Sequence, residues 1–358
     1  MNQTMKRRLV IVGAGMAGSK LAHDAKIAYG DAYHIILIGE EAQVGYNRIL
    51  LSSLLANDIA DADMKLVDAQ KMQDDGIEIV ANDPVVRVDV AEKNVMLSSG
   101  HQVAYDQLVL ATGSRASRLP IDGANAPNVM GFRTWNDVNV MTQMKPNQSI
   151  CVVGGGLLGL EAAVGLAKRG HKVTVSHRSH WLLNRQLDQE SAALLQRRLV
   201  EMGVAFRLGE SPVSFVQSDD GQVEQVVCQN GDRLDVDLVV MAAGISPETS
   251  LACAAGLAVD RAILVDEQMK TSHADVFAIG ECCEFNQQTF GLVAPIWTQI
   301  TVLLSVLSGS EAAFSIEPTP TKLKVSGVNL FSVGRIQPIS GDSCLLFKDV
   351  SANHYRKL

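Results

Sequence analysis

No cysteine precedes position 151 in this chain, and the six that follow, Cys151, Cys228, Cys253, Cys282, Cys283 and Cys344, form no C-x-x-C pair. No histidine stands at zinc-ligand spacing from them, so neither a structural zinc nor an iron-sulfur cluster is expected within the chain. Basic charge is scarce as well. Against 39 Asp and Glu there are 31 Lys and Arg, a net charge of −8, which argues against nucleic acid and against a basic membrane-binding patch. No run reaches the roughly 18 apolar residues that a membrane span needs; the best, around Leu303 to Leu307, is punctuated by Thr, Gln and Ser. Lys6-Arg7-Arg8 precedes an apolar run as in a secretory signal, but a glycine loop interrupts the run and no cleavage site follows. The chain therefore reads as soluble and cytoplasmic, with a partner that is small or carries its own basic patch.

Glycine, by contrast, is placed with a pattern. Gly13-Ala14-Gly15-Met16-Ala17-Gly18 follows the apolar strand Arg8-Leu9-Val10-Ile11-Val12, and Gly154-Gly155-Gly156-Leu157-Leu158-Gly159 follows Ser149-Ile150-Cys151-Val152-Val153. In such a loop the first glycine makes the turn, the second lets backbone approach a pyrophosphate, and the third lets helix and strand pack closely. The helix N-terminus then faces the negative charge. A helix over residues 19–29 and a strand over 34–38 complete the first unit, with Glu40 placed to grip a ribose 2′-hydroxyl. A helix over 157–168 and a strand over 172–176 complete the second, which ends in His177 and Arg178 with no carboxylate. A guanidinium there suits a 2′-phosphate and leans toward NADPH; a solvated loop charge is the alternative. One dinucleotide site suggests a dehydrogenase, and two suggest a flavoprotein reductase.

A length of 358 residues calls for two or three domains. Strands are expected over 85–90, 94–97 and 103–110, the last running into Ala111-Thr112-Gly113, and 237–241 runs likewise into Ala242-Ala243-Gly244. The chain thus carries a diverged internal repeat of glycine loop, helix, strand, meander and small-residue turn. Boundaries are expected near Pro120 to Asn128 and after Pro247. Further on, a strand ends in Gly280-Glu281 and a helical stretch covers 294–307. The Glu281 carboxylate can accept hydrogen bonds from a polyol, or serve as a helix-start acid. Adjacent Cys282 and Cys283 read as buried small hydrophobes rather than a redox pair.

Eight stretches in order carry a family resemblance: Gly13 to Gly18, Ile38-Gly39-Glu40-Glu41, Tyr46-Asn47-Arg48-Ile49-Leu50-Leu51-Ser52-Ser53, Leu110-Ala111-Thr112-Gly113-Ser114, Gly154 to Ala163, Arg185-Gln186-Leu187-Asp188, Ala278-Ile279-Gly280-Glu281-Cys282 and Phe290-Gly291-Leu292-Val293-Ala294-Pro295. Over nearly its whole length the chain resembles the FAD and NAD(P)H module of the NAD(P)H-dependent nitrite reductase large subunit, a pattern shared with rubredoxin reductases within the pyridine nucleotide-disulfide oxidoreductases. The resemblance implies an α/β fold with two Rossmann-like dinucleotide-binding domains, arranged as in glutathione reductase, and an incomplete C-terminal α+β domain. It divides the chain into 1–120 and 249–320 for FAD, 121–248 for NAD(P)H, and 321–358 as the start of the C-terminal domain. It places FAD on Gly13, Gly15, Met16, Ala17 and Gly18, with Glu40 at the ribose, Arg48, Ala111, Thr112 and Gly113 beside it, and Gly280 and Glu281 at the ribityl chain. NAD(P)H falls on Gly154, Gly156, Leu157, Leu158 and Gly159, with His177, Arg178 and Gly244 nearby.

Glu161 is implied as the catalytic residue reaching toward the nicotinamide; by residue physics it is either that ligand contact or an acid favoured by the helix dipole in the first turn. The stretch Tyr46 to Ser53 contains no cysteine where disulfide reductases and flavin peroxidases of this build carry their reactive thiol, which excludes a thiol relay. Hydride from NAD(P)H would reduce FAD, and the electrons would pass to a one-electron acceptor: an iron-sulfur or siroheme domain, or a rubredoxin-like protein. A stand-alone ferredoxin or rubredoxin reductase, an NAD(P)H oxidase and a non-catalytic nucleotide-sensing flavoprotein are the competing readings, and a homodimer is left open. Two departures stand out: the acid many relatives carry after the second Rossmann strand is missing, so coenzyme choice does not transfer. From Lys322-Leu323-Lys324-Val325-Ser326-Gly327-Val328, which resembles the opening of a C-terminal sheet, only a short stretch remains to Leu358, so a shortened chain with unpaired strand edges is expected.

Overall fold

The computed structural model describes residues 6–317, 321–325, 328–349 and 354–358. By backbone proximity the chain forms two compact units, one of Met1–Arg48, Ala62–Arg115 and Ser246–Thr319, the other of Ile49–Asp61, Ala116–Ile245 and Pro320–Leu358. The chain leaves the first unit after Arg115, upstream of the Pro120 to Asn128 stretch, and returns at Ser246.

In the first unit five parallel strands lie in the order Val276–Ala278, Gln107–Leu110, Arg7–Val12, Tyr33–Ile38, Glu78–Val80. Leu9, Val10 and Ile11 are fully buried, as continuous apolar runs must be in a parallel sheet covered on both faces. The helices Met16–Tyr29 and Val293–Leu307 pack on one another. Val12 pairs with Ile38 on one side and Leu110 on the other, so the glycine loop emerges at the carboxyl end of the central strand. That end is where open α/β sheets bind ligands.

The expected strand over 103–110 is two strands in different sheets. Gln102–Ala104 closes a three-stranded antiparallel meander with Val85–Asp89 and Asn94–Leu97, whereas Gln107–Leu110 joins the parallel sheet. Asp106 marks the break: its N–H donates to the Arg8 carbonyl while its carboxylate accepts the Arg8 N–H. The change of sheet falls at the polar pair Asp106-Gln107: Val103 is buried between exposed neighbours in the meander, whereas Leu108, Val109 and Leu110 are all buried in the parallel sheet.

The second unit repeats the layout. Its parallel order is Val204–Leu208, Lys172–His177, Ser149–Val153, Leu238–Met241, Val129–Gly131, and its meander is Pro212–Gln217, Val223–Cys228, Arg233–Asp235. The outer strand beyond the small-residue turn comes from earlier in the chain here, and from later in the first unit. Near the C-terminus, Leu346–Asp349 and His354–Lys357 form a hairpin tied to the helix Gln189–Glu201: Asp188 accepts from Tyr355 Oη at 2.5 Å and from Lys357 Nζ at 3.0 Å. Thr321–Val325 pairs with Val328–Ser332; of the 322–328 stretch singled out from sequence, Ser326 and Gly327 lie outside the described residues.

Candidate dinucleotide sites

The glycines of the first loop divide by what a side chain would meet. A Cβ on Gly13 would sit 2.2 Å from the Ala111 carbonyl oxygen, at a φ of +111°, and one on Gly18 would sit 1.9 Å from the Gly13 oxygen. These two serve the turn and the helix-strand contact. Gly15 differs. It caps the helix Met16–Tyr29 with no side-chain hydrogen bond, and the nearest atoms to a Cβ there would be those of the Arg48 guanidinium, at 3.6–3.9 Å. A helix N-terminus with free amides, an open approach and a cation beside it is the donor set an anionic pyrophosphate requires. Arg48 is held for that position by an ion pair to Glu41, whose other oxygen accepts from Tyr46 Oη at 2.7 Å, and its guanidinium lies 5.5 Å from the Tyr46 ring centroid. Its Nε is buried without a hydrogen-bond partner, so the guanidinium is not fully satisfied by protein.

The other residues expected around FAD gather in the same unit. Met16 and Ala17 open the helix, and a Cβ on Gly280, which has a φ of +89°, would lie 3.4 Å from the Ala17 methyl. Glu281 lies in the one-turn helix Gly280–Cys282 and accepts from Ser114 Oγ at 2.8 Å. Glu40 is exposed, 3.6 Å from Arg115. Ala111 supplies the carbonyl that abuts Gly13. Thr112 and Gly113 are engaged by the returning chain: Thr112 Oγ1 donates to the Glu248 carbonyl at 2.8 Å, and the Gly113 carbonyl accepts the Glu248 N–H at 2.9 Å. Cys282 and Cys283 are fully buried, their thiols donating to the carbonyls of Ile279 and Gly280, and burial pushes both thiols up, away from the reactive thiolate. Sequence reasoning missed Glu41, which holds Arg48, and Gln299, whose fully buried side chain accepts the Gly280 N–H at 2.8 Å. A lone amide on the buried face of an uncharged helix is a signal that could have found Gln299.

In the second loop Gly154 and Gly159 repeat the obligatory contacts, with Cβ positions 2.2 Å from the Ala242 oxygen and 2.0 Å from the Gly154 oxygen, and Gly156 opens onto space with nothing within 4 Å. Leu157 and Leu158 open the helix Leu157–Lys168, Leu158 facing solvent. Gly244 is exposed with a φ of +130°, its carbonyl accepting from the Ser117 N–H. Arg178 is exposed just past the second strand.

His177 lies directly against the second loop. The Gly13 N–H donates to the Ile38 carbonyl and the Gly154 N–H to the Ser176 carbonyl, so His177 stands where the first unit has Gly39, and Arg178 where it has Glu40. The imidazole lies against the loop, with Nδ1 accepting the Gly155 N–H at 3.1 Å. The same register follows from the strand ends at Ile38 and Ser176; what the sequence could not reveal is that the imidazole turns back onto the loop.

Glu161 also changes place in the argument. The first turn of Leu157–Lys168 contains no acid, and Glu161 lies in the second, which removes the dipole-favoured first-turn alternative. Burial pushes its carboxyl up to about 7 against the opposing hydrogen bond of Ser52. Ser52 belongs to the helix Leu51–Leu55, packed so closely that a Cβ on Gly165 would lie 2.9 Å from Leu55 Cγ. Among the described residues there is no metal-ligand cluster, and no helix is long and apolar enough to cross a membrane.

The pattern that defines the pyridine nucleotide-disulphide oxidoreductases matches residues 7–299. The chain is 36% identical over 354 residues to the assimilatory nitrate reductase electron transfer subunit of Bacillus subtilis (strain 168), covering 98% of this chain and 46% of that protein. It is 37% identical over 355 residues to the nitrite reductase [NAD(P)H] of the same organism, covering 99% and 44%. It thus spans under half the length of these relatives. Among solved structures, that of the covalent putidaredoxin reductase-putidaredoxin complex superposes with a TM-score of 0.85 at 28% identity, over 98% of this chain and 86% of that one. The chain belongs to the pyridine nucleotide-disulphide oxidoreductase family.

Proposed function

We propose that this chain is an FAD-dependent NAD(P)H oxidoreductase, the reductase module of a nitrite reductase-type enzyme, that takes hydride from NAD(P)H and delivers electrons to a one-electron metal centre on another domain or protein. The observation that carries the reading is the repetition of one loop with its second glycine open each time, at Gly15 and at Gly156. Residues 1–120 and 249–320 are assigned to FAD and 121–248 to NAD(P)H. When bound, FAD supplies a hydride acceptor that can release electrons singly.

The chain's own part is binding and orientation. The helix start at Met16 and the Arg48 guanidinium meet the FAD pyrophosphate, Glu40 the ribose and Glu281 the polyol, while Gln299 fixes the turn at Gly280. On the coenzyme side the helix start at Leu157 meets the pyrophosphate and Arg178 a 2′-phosphate. Glu161, with a carboxyl poised near neutrality, presents either a hydrogen-bond donor or a charge to the nicotinamide.

Anaerobic titration with NADPH and then NADH, followed by the visible spectrum, tests this. Bleaching of a flavin band is expected; a protein with no flavin, or with flavin that neither coenzyme reduces, would overturn the proposal. The likeness to a putidaredoxin reductase supports a second reading, a stand-alone reductase of a small iron-sulfur protein or rubredoxin. Reduction of added rubredoxin or ferredoxin at turnover rates would favour it, rapid oxygen uptake with coenzyme alone would favour an oxidase, and light scattering decides between one copy and a homodimer.

A further inference from the structure

The two loops fill one small space in opposite ways. In the first, the side chain is on the loop and the strand end is bare: the Ala14 methyl occupies the room that a Cβ on Gly39 would need, 2.6 Å away. In the second, the loop is bare and the strand end carries the side chain: a Cβ on Gly155 would lie 2.8 Å from two carbons of the His177 ring and 3.0 Å from Leu182 Cδ2. The exchange adds a polar contact, since the Gly155 N–H donates to His177 Nδ1 at 3.1 Å while the Gly155 carbonyl accepts the Leu183 N–H at 3.0 Å. Gly155, immediately before the open glycine Gly156, is thereby held on one side by the last residue of the strand Lys172–His177 and on the other by Leu183 in the segment that follows it.

We infer that His177 is a positioning residue for coenzyme binding: its neutral imidazole, by filling the space beneath Gly155 and accepting its N–H, holds the loop in the shape that receives the pyrophosphate. The inference rests on the reading of this loop as the NAD(P)H site. It makes coenzyme affinity depend on the protonation of His177, because an imidazolium offers two donors and no acceptor. The charged groups on the surrounding elements are Arg178, His180 and Arg185 after the strand, Arg207 and Glu210 on and after the neighbouring strand Val204–Leu208, and Glu161 and Lys168 on the helix Leu157–Lys168 that packs on the strand Lys172–His177; Arg207 and Glu210 lie 3.7 Å apart, and the loop itself carries none. Burial lowers the imidazole's proton affinity and Arg178 adds to that, against the opposing pull of Asn184 and the Trp181 backbone. The neutral form therefore prevails at neutral pH, and the contact is lost as pH falls below the ordinary histidine range.

The test is KM and kcat for NADH with ferricyanide as acceptor, from about pH 8 down to about pH 4.5, below the ordinary histidine range, using flavin content as the check on folding. NADH avoids the titration of a 2′-phosphate. His177→Ala should raise KM about fivefold to tenfold at pH 8 with kcat within about twofold, as expected for one lost hydrogen bond and a loosened loop. His177→Asn, whose carbonyl oxygen replaces Nδ1 as acceptor, should keep a low KM and escape the loss of affinity that the wild type shows in acid. The exchange His177→Gly with Gly155→Ala, which copies the first loop, should do the same. Glu161 titrates equally in all four proteins, so the difference between profiles isolates His177. Identical pH profiles for wild type and His177→Asn, or an unchanged KM in His177→Ala, would overturn the inference alone. A wild type that neither coenzyme binds or reduces would overturn the loop reading together with it.

Discussion

In the first repeat an alanine methyl lies over a bare glycine at the strand end, and in the second an imidazole lies under a bare glycine in the loop. The backbone is the same in both: first-glycine N–H bonded to the neighbouring strand, third glycine against the first, second glycine open. What distinguishes the sites lies around this shared frame. The first has a cation, Arg48, at its open glycine, held by Glu41; the second has nothing within reach of Gly156, and its cation, Arg178, stands past the strand end. The comparison separates what a dinucleotide loop needs in order to fold from what it uses to choose a ligand.

The largest effect should come from breaking the shared frame. Gly154→Ala forces a side chain at a φ of +126° to within 2.2 Å of the Ala242 oxygen, whereas Gly156→Ala meets no protein atom. The first should cost about 3 kcal/mol or more, from the sum of overpacking and backbone strain; the second should leave urea denaturation nearly unchanged yet weaken coenzyme binding. Equal stabilities for the two variants would remove the division between obligatory and open glycines. Gly13→Ala and Gly15→Ala should split the same way in the first unit, with flavin content as the binding readout.

Next in size is the charge beyond the strand end. Replacing Arg178 by Glu, which gives the second repeat the acid that Glu40 provides in the first, should shift the NADPH to NADH preference by about tenfold or more toward NADH. The same coenzyme ratio in both proteins would show that Arg178 touches no phosphate.

A third variant sharpens the contrast between the helices, since only the second carries an acid, half-buried, one turn in. Glu161→Gln should slow flavin reduction in stopped flow with FAD retained, and should flatten a wild-type pH profile centred near 7. The raised carboxyl also carries a sign for stability: the unfolded chain loses its proton before the folded one, so this group's contribution falls as pH rises from about 4.5 through 7. Unchanged reduction rates across the pH range would take Glu161 out of the mechanism.

An effect on stability alone concerns Asp188, at the start of the helix Gln189–Glu201 in the second unit. Burial would raise its carboxyl, but hydrogen bonds from Ser191, Tyr355 and Lys357 together hold it well below the usual carboxylate range. Its stabilisation is therefore present above the ordinary aspartate pKa and is lost as pH falls below it. Asp188→Asn should cost about 1–2 kcal/mol at neutral pH and remove that part of the acid dependence; an unaltered acid transition would show that the C-terminal hairpin is not tied through this residue.

Much of the architecture was legible before any coordinates. Glycine loops leave a spaced signature because steric exclusion admits one residue type at Gly13, Gly18, Gly154 and Gly159, and apolar runs such as Leu9 to Val12 mark strands buried on both faces. Cys282 and Cys283 lie in the core, as their small apolar character predicted. Less legible were the points where one residue's position changes the meaning of its neighbours. A sequence does not say that Arg48 pairs with Glu41 while Glu40 stays exposed, because two adjacent acids are chemically alike. Nor does it say that Ser52 faces Glu161, more than a hundred positions away. Nor does it say that the strands on either side of Asp106 belong to different sheets, one with Val103 alone buried and the other buried from Leu108 to Leu110.

By itself the sequence determined that this chain has two dinucleotide loops in a diverged repeat, no cysteine in the stretch Tyr46 to Ser53, and a cation in place of an acid after the second strand, since each follows from which residue types stand in linear order. The tertiary structure decided the rest: that the His177 imidazole lies beneath Gly155, that Gly15 and Gly156 are the open glycines, and that the half-buried Glu161 carboxyl is removed from water enough to titrate near neutrality. These depend on pairing register, on the space beneath a loop and on removal from water, quantities that exist only once distant segments have been packed together.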